Sequence, residues 1–109
     1  MAEYSEATIT SASGETAFVR VQTGERGFMG LTGSISAGAV LLIIKVRGSS
    51  TEYVADTIDA TFLQTNGNEA GTGYSIFEPL DVPAQAHIAL KANAAFSGSI
   101  TAVVGSETF

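Results

Sequence analysis

The chain has 109 residues, enough for one domain but not for two independent cores. It has no cysteine, which excludes disulfides, thiolate zinc sites and a cysteine nucleophile. Five Lys+Arg against 11 Asp+Glu give a net charge of −6, and only Arg20, Arg26, Lys45, Arg47 and Lys91 could build a basic patch, so no nucleic-acid partner is expected.

Only 15% of the residues are charged while 45% are hydrophobic. For a small domain, whose surface is a large share of the whole, that is little charge. Much of the surface must therefore be Ser, Thr, Ala and Gly, and part of it is expected to be covered. The opening residues Met1-Ala2-Glu3-Tyr4-Ser5-Glu6 are acidic and lack the basic and apolar regions of a signal peptide. The longest apolar run, residues 39–44, is far below the ~20 residues that span a bilayer. Neither export by a signal peptide nor a membrane partner is expected.

Period-two alternation dominates from one end to the other, and no segment sustains a 3.6-residue apolar stripe. Residues 6–12 read as a threonine-rich first strand, and residues 1–14 as an N-terminal stretch able to extend as an arm. In residues 16–23, Ala17, Val19 and Val21 alternate with Phe18, Arg20 and Gln22. After the turn Thr23-Gly24-Glu25, residues 27–35 place Met29, Leu31, Gly33 and Ile35 opposite Phe28, Gly30, Thr32 and Ser34. Ser36-Ala37-Gly38 reads as a short hairpin connection.

The most apolar strand follows at residues 39–47, with Val40, Leu42, Ile44 and Val46 on the core face and Leu41, Ile43, Lys45 and Arg47 on the other. Gly48-Ser49-Ser50 turns the chain into residues 52–56, and residues 57–64 are expected to add a short strand holding Ile58, Ala60 and Phe62. Residues 66–73 carry three glycines and two asparagines and read as a loop. Residues 74–78 form a strand stopped by Pro79, residues 85–92 another, and residues 99–105 a last one with Ile100, Ala102 and Val104 inward. The only internal echo is between Thr32-Gly33-Ser34-Ile35 and Ser97-Gly98-Ser99-Ile100. The fold expected is all-β: one antiparallel β-sandwich of about eight short strands, jelly-roll or Ig-like, over residues 1–109.

The search for chemistry returns little. His87 is the only histidine, with no acid nearer than Asp81, and no G-x-S-x-G elbow is present. The carboxylate pairs Asp56/Asp59 and Glu78/Asp81 could in principle serve glycoside hydrolysis or calcium, but both flank strand ends, where solvated acids limit edge association. Gly71-Thr72-Gly73 precedes a strand instead of a helix, so it is no phosphate cradle. No catalytic residue, metal ligand or cofactor is expected. Many sugar-binding modules are β-sandwiches that usually use exposed aromatic platforms; here Trp is absent, and Tyr4, Tyr53 and Tyr74 lie in strands without a clustering pattern. What remains is association through flat sheet faces and edges. The candidates for an interface are Tyr4, Phe28 and Phe109.

The run Gly27-Phe28-Met29-Gly30-Leu31-Thr32-Gly33-Ser34-Ile35, passing through Ser36-Ala37-Gly38 into an apolar strand that closes on Lys45-Val46-Arg47-Gly48-Ser49, resembles a pattern in small virion proteins of tailed bacteriophages. Ala95-Phe96-Ser97-Gly98-Ser99-Ile100-Thr101-Ala102 is similar to their final hairpin. The likeness spans about residues 16–105, with Tyr53 where an aromatic, commonly Trp, follows the basic strand, and His87-Ile88 in place of an aromatic-basic step. It implies a β-sandwich or jelly-roll structural subunit without enzymatic activity. The expected role is a capsid decoration or cement protein on the virion surface, made in the host cytoplasm. Its partners would be the major capsid protein and copies of itself, as a dimer or trimer. The alternative is a fibre, tail or baseplate module, with a host glycan as partner.

Overall fold

The computed structural model describes residues 3–108. Nine strands and one short helix follow in the order β1 (Glu3–Ile9), β2 (Val19–Arg20), β3 (Glu25–Ala37), β4 (Ala39–Lys45), β5 (Tyr53–Asp59), α1 (Ala60–Asn66), β6 (Asn68–Ala70), β7 (Gly73–Leu80), β8 (His87–Ala92) and β9 (Ser97–Thr108). They build two antiparallel sheets, ordered β1-β9-β3-β7-β6 and β2-β8-β4-β5. With the short β6 set aside, each sheet has four strands and every connection except the β4–β5 hairpin crosses between them, the winding of a jelly roll and not of an immunoglobulin sandwich.

The core is what alternation produces when two such sheets face each other. Ile9, Met29, Leu31, Ile35, Ile76, Ile100, Ala102 and Val104 point in from the larger sheet. Val19, Val40, Leu42, Ile58, Ile88, Leu90 and Ala92 meet them from the smaller one. Val46, expected among these, lies beyond the end of β4 and is exposed. Ile43, on the far face of β4, is nevertheless buried.

Several local expectations are corrected. Residues 57–64 are not a separate strand: 57–59 complete β5 and the chain then turns into α1. Asp59 is the reason, since its Oδ1 accepts from Phe62 N at 2.8 Å and caps the helix. Leu63 is then buried in the core and Gly67 N closes the helix on Leu63 O at 2.8 Å. The loop of residues 66–73 contains β6, which returns onto β7 through Gly71-Thr72 with Gly71 at φ +65°. Glycine in the first central position is what a two-residue type II′ turn requires. Pro79 does not stop β7 but pairs with Phe28 inside it. The edge strand β6 reaches only to Ser75, so on that side no ladder partner is lost for want of an N–H at Pro79.

The first strand begins at Glu3 and is an edge strand, paired with β9 from Glu3↔Ser106 to Ile9↔Ile100, so residues 3–9 lie within the sheet. Residues 16–23 run beside β8 but only Val19 and Arg20 make regular pairs. Thr16, fully buried, substitutes for a strand residue: its N donates to Leu90 O at 2.9 Å and its Oγ1 accepts from Leu90 N at 3.0 Å. Two turns read as hairpins are crossings between the sheets, because β3 and β4 lie in different sheets, as do β8 and β9. The two crossings touch. Asn93 Oδ1 accepts from Ala39 N at 3.1 Å, and a Cβ on Gly38 would strike the backbone of Ala95 and Phe96.

The four-residue echo has a structural meaning. Its two copies are antiparallel partners, Gly33↔Ile100, Ser34↔Ser99 and Ile35↔Gly98, so they are related by a local two-fold between β3 and β9. Both glycines hold positive φ, +135° at Gly33 and +149° at Gly98, and a Cβ on either would strike a backbone carbonyl of the opposite copy.

Gly33→Ala and Gly98→Ala are each expected to lower unfolding free energy by at least ~2 kcal/mol, combining φ strain with a backbone clash. Gly48→Ala, at φ +79° with open space around it, should lose only about 1 kcal/mol. Urea midpoints of the three variants check this. Thr16→Val, which strands the buried Leu90 N–H, should cost about 1–3 kcal/mol in the same assay while Thr16→Ser retains most of the stability.

Candidate functional site

Registers across the larger sheet place its solvent-side residues in transverse rows. One row is Tyr4, Gly105, Phe28 and Pro79; the next is Glu6, Val103, Gly30 and Phe77; a third is Thr8, Thr101, Thr32 and Ser75. Two of the three interface candidates, Tyr4 and Phe28, therefore stand on one face, flanking Gly105 from either side of β9. The third, Phe109, lies outside the described residues.

Phe77 completes the face, a residue that sequence reasoning missed. Its ring stacks on Phe28 with centroids 5.4 Å apart and planes 25° apart. The two glycines in these rows make room for the rings: a Cβ on Gly30 would meet Phe77 Cδ2 at 2.8 Å, and one on Gly105 would run into the Phe28 ring. The result is an aromatic platform in which Tyr4 is 72% and Phe77 67% exposed while Phe28 is half-buried. Glu6 is the only charge in the three rows. A shallow depression of about 170 Å³ on this face is lined by Glu6, Val103, Gly30 and Phe77 with Thr32 and Thr101. A lining that includes a carboxylate residue and a phenylalanine suits a cationic side chain.

The outer face of the smaller sheet is mixed: Ile43 and Ala89 are buried on it, Val54 beside Ile43 is exposed, and it carries Arg20, Lys45 and Lys91. Arg20, His87 and Lys45 form one row across β2, β8 and β4. Lys45 Nζ stands 3.8 Å above the centroid of the Phe18 ring. The Gln22 amide, with its oxygen toward the guanidinium, accepts from Arg20 Nη2 at 3.0 Å and Nε at 3.2 Å. Lys91, on the same face, lies between Glu15 at 3.7 Å and Glu52 at 3.6 Å. Among the described residues, no carboxylate pairs with Arg20, Lys45 or Arg47.

The residues weighed for chemistry are placed as follows. His87 has Arg20 and Lys45 as cross-strand neighbours, not the carboxylate that would orient a general base. Asp59 caps α1, and Asp56 Oδ1 accepts from Thr57 N at 2.9 Å. Asp81 lines a cleft of about 250 Å³ with Glu25, Arg26, Leu80 and Val82. Among the described residues no three His, Asp or Glu side chains are grouped to hold a metal ion.

The platform contributes little to folding. Phe77→Ala should cost no more than the ~1.5 kcal/mol that an aromatic pair is worth, well short of the ~3–5 kcal/mol of a buried Phe→Ala, as urea unfolding will measure. Comparison with protein-family models, curated proteins and solved structures gives no match for this chain, so the reading of the two faces rests on their own geometry.

Proposed function

We propose that this protein is a non-enzymatic structural subunit that works by association, most specifically a decoration or cement protein on the capsid of a tailed bacteriophage. The observation that carries the reading is the pair of exposed aromatics Tyr4 and Phe77 on one sheet face, with the half-buried Phe28 ring stacked on Phe77 and Gly30 and Gly105 leaving room for the rings. Large aromatics left in water on an otherwise polar Thr/Ser sheet face mark a surface meant to be covered. The likeness of residues 16–105 to small virion proteins names the shell as what covers it. The jelly-roll winding adds an associational support, because that architecture recurs in viral capsid proteins, though also in lectins and cupins.

As a cement, the protein would act by mass linkage: burial across the boundaries of capsomers adds free energy to the assembled lattice and none to free subunits. Its partners would be the major capsid protein and copies of itself.

The test uses capsids assembled without this protein from the major capsid protein of the same genome. Added protein should bind saturably and raise the temperature at which the shells open, and Phe77→Ser should weaken binding at least about tenfold, the loss of one interfacial aromatic anchor. Shells that neither bind the protein nor gain thermal stability would sink the proposal. Saturable binding to host polysaccharide instead would favour the fibre or baseplate role.

A further inference from the structure

The cationic row on the smaller sheet and the platform on the larger one lie on opposite outer faces of the sandwich, and among the described residues neither the row's cations nor Glu6 has a charged partner. We infer that they meet between copies: the row Arg20–His87–Lys45 of one molecule docks on the platform of the next, with a basic side chain entering the depression lined by Glu6 and Phe77.

Three features support this. The first is charge. Arg20 and Lys45 are two of only five Lys+Arg in a chain of net charge −6, and they flank His87 where, among the described residues, no carboxylate pairs with them. Within the molecule Lys45 rests on the Phe18 ring and Arg20 on the Gln22 amide, both neutral partners, so the two cations keep their full charge for an anionic group on another surface. The second is chemistry. This protein already sets a lysine on a phenylalanine ring, Lys45 on Phe18, and the platform offers the same acceptor in Phe77 with Glu6 lining the same depression. The third is extent. Four strands at ~4.8 Å spacing and seven residues at ~3.3 Å make a face of roughly 19 by 23 Å. The opposing face is narrower, because its edge strand β2 has only two residues, so the contact falls short of the ~1,000 Å² of a specific interface and the association is weak and adjustable.

A contact between two different surfaces is heterologous, so it propagates into a ring or a row instead of stopping at a two-fold dimer. The inference rests on the reading of the platform as an assembly surface, and names what one side of it meets.

Sedimentation velocity tests it. The wild-type chain should associate beyond a dimer as concentration rises, and raising the salt from about 30 mM to about 500 mM should weaken association by an order of magnitude. Arg20→Glu/Lys45→Gln removes the row; Glu6→Lys/Phe77→Ser removes the platform. Each variant alone should be monomeric, and an equal mixture should form a dimer and nothing larger, because one good row then meets one good platform. The single variant Arg20→Glu, at an exposed position, serves if the double variant folds poorly. Wild-type protein that stays monomeric at low salt, or a row variant that still associates, would overturn the inference. If shells bind the monomeric protein even so, the proposed function stands and only this contact fails. A mixture that stays monomeric would also overturn it.

Discussion

The jelly roll depends on one piece of backbone geometry: the close antiparallel approach of β3 and β9 at the glycines Gly33 and Gly98. These are the two longest strands, and both leave the larger sheet at this end, β3 toward β4 and β9 back toward β8. For both crossings to fit side by side, the strands must bend together. Each bend puts a backbone carbonyl where a Cβ would otherwise stand. Only a residue without a side chain, holding a φ that L-residues avoid, meets both demands. Just beyond lie Gly38, against the backbone of Ala95 and Phe96, and the Asn93 side chain that ties the two crossings. A neighbouring irregularity at Ser36, where the β3–β9 register shifts, adds to the bend, and Ser36 Oγ donates to Ser97 O at 3.0 Å.

This shows why the fold class was legible while the winding was not. Alternation reports which face of a strand is buried, and Met29, Leu31, Val40, Leu42, Ile100 and Val104 are all buried as that pattern requires. It does not report which sheet the next strand joins. A short Gly-containing turn such as Ser36-Ala37-Gly38 suits a hairpin and a crossing alike. The four-residue echo at residues 32–35 and 97–100 was the one sequence trace of the two-fold, but two short segments say nothing of their pairing until the sheet is closed. The helix was hidden for another reason. Seven residues are too few for a periodic stripe, and the Asp59 cap that starts α1 is also a normal strand-end residue.

The candidate surfaces divide in the same way. Tyr4 and Phe28 stood out as aromatics off the buried pattern. Phe77 did not, because a strand that ends on a proline reads as truncated, and its partner across the sheet is 49 positions earlier in the chain, at Phe28. The row of Arg20, His87 and Lys45 joins three strands far apart in sequence. Nothing in their spacing signals it. Single strands disclose faces, and only the register across strands discloses sites.

The glycines of the platform separate a functional reading of that face from a purely structural one. At Gly33 and Gly98 the absent side chain is demanded by backbone, so those glycines are explained by folding alone. Gly30 and Gly105 do not have positive φ. A side chain at Gly30 would strike only the side chains of Phe77 and Val103, whereas one at Gly105 would strike the backbone oxygen of Glu3 as well as the Phe28 ring. Gly30 is therefore the glycine that the platform alone explains. A glycine in a central strand weakens the ladder, and an exposed aromatic returns little burial. Each is unfavourable for the lone molecule, and together they create an uncrowded ring surface that no single strand could present. Local choices that run against stability at a common place point to a surface shaped by what it touches. The opposite face differs in origin: its cations Arg20 and Lys45 are brought together by register across β8 and are each held by a neutral group, the Gln22 amide and the Phe18 ring. The geometry of that face is thus accounted for within one molecule, and that of the Phe77 side is not.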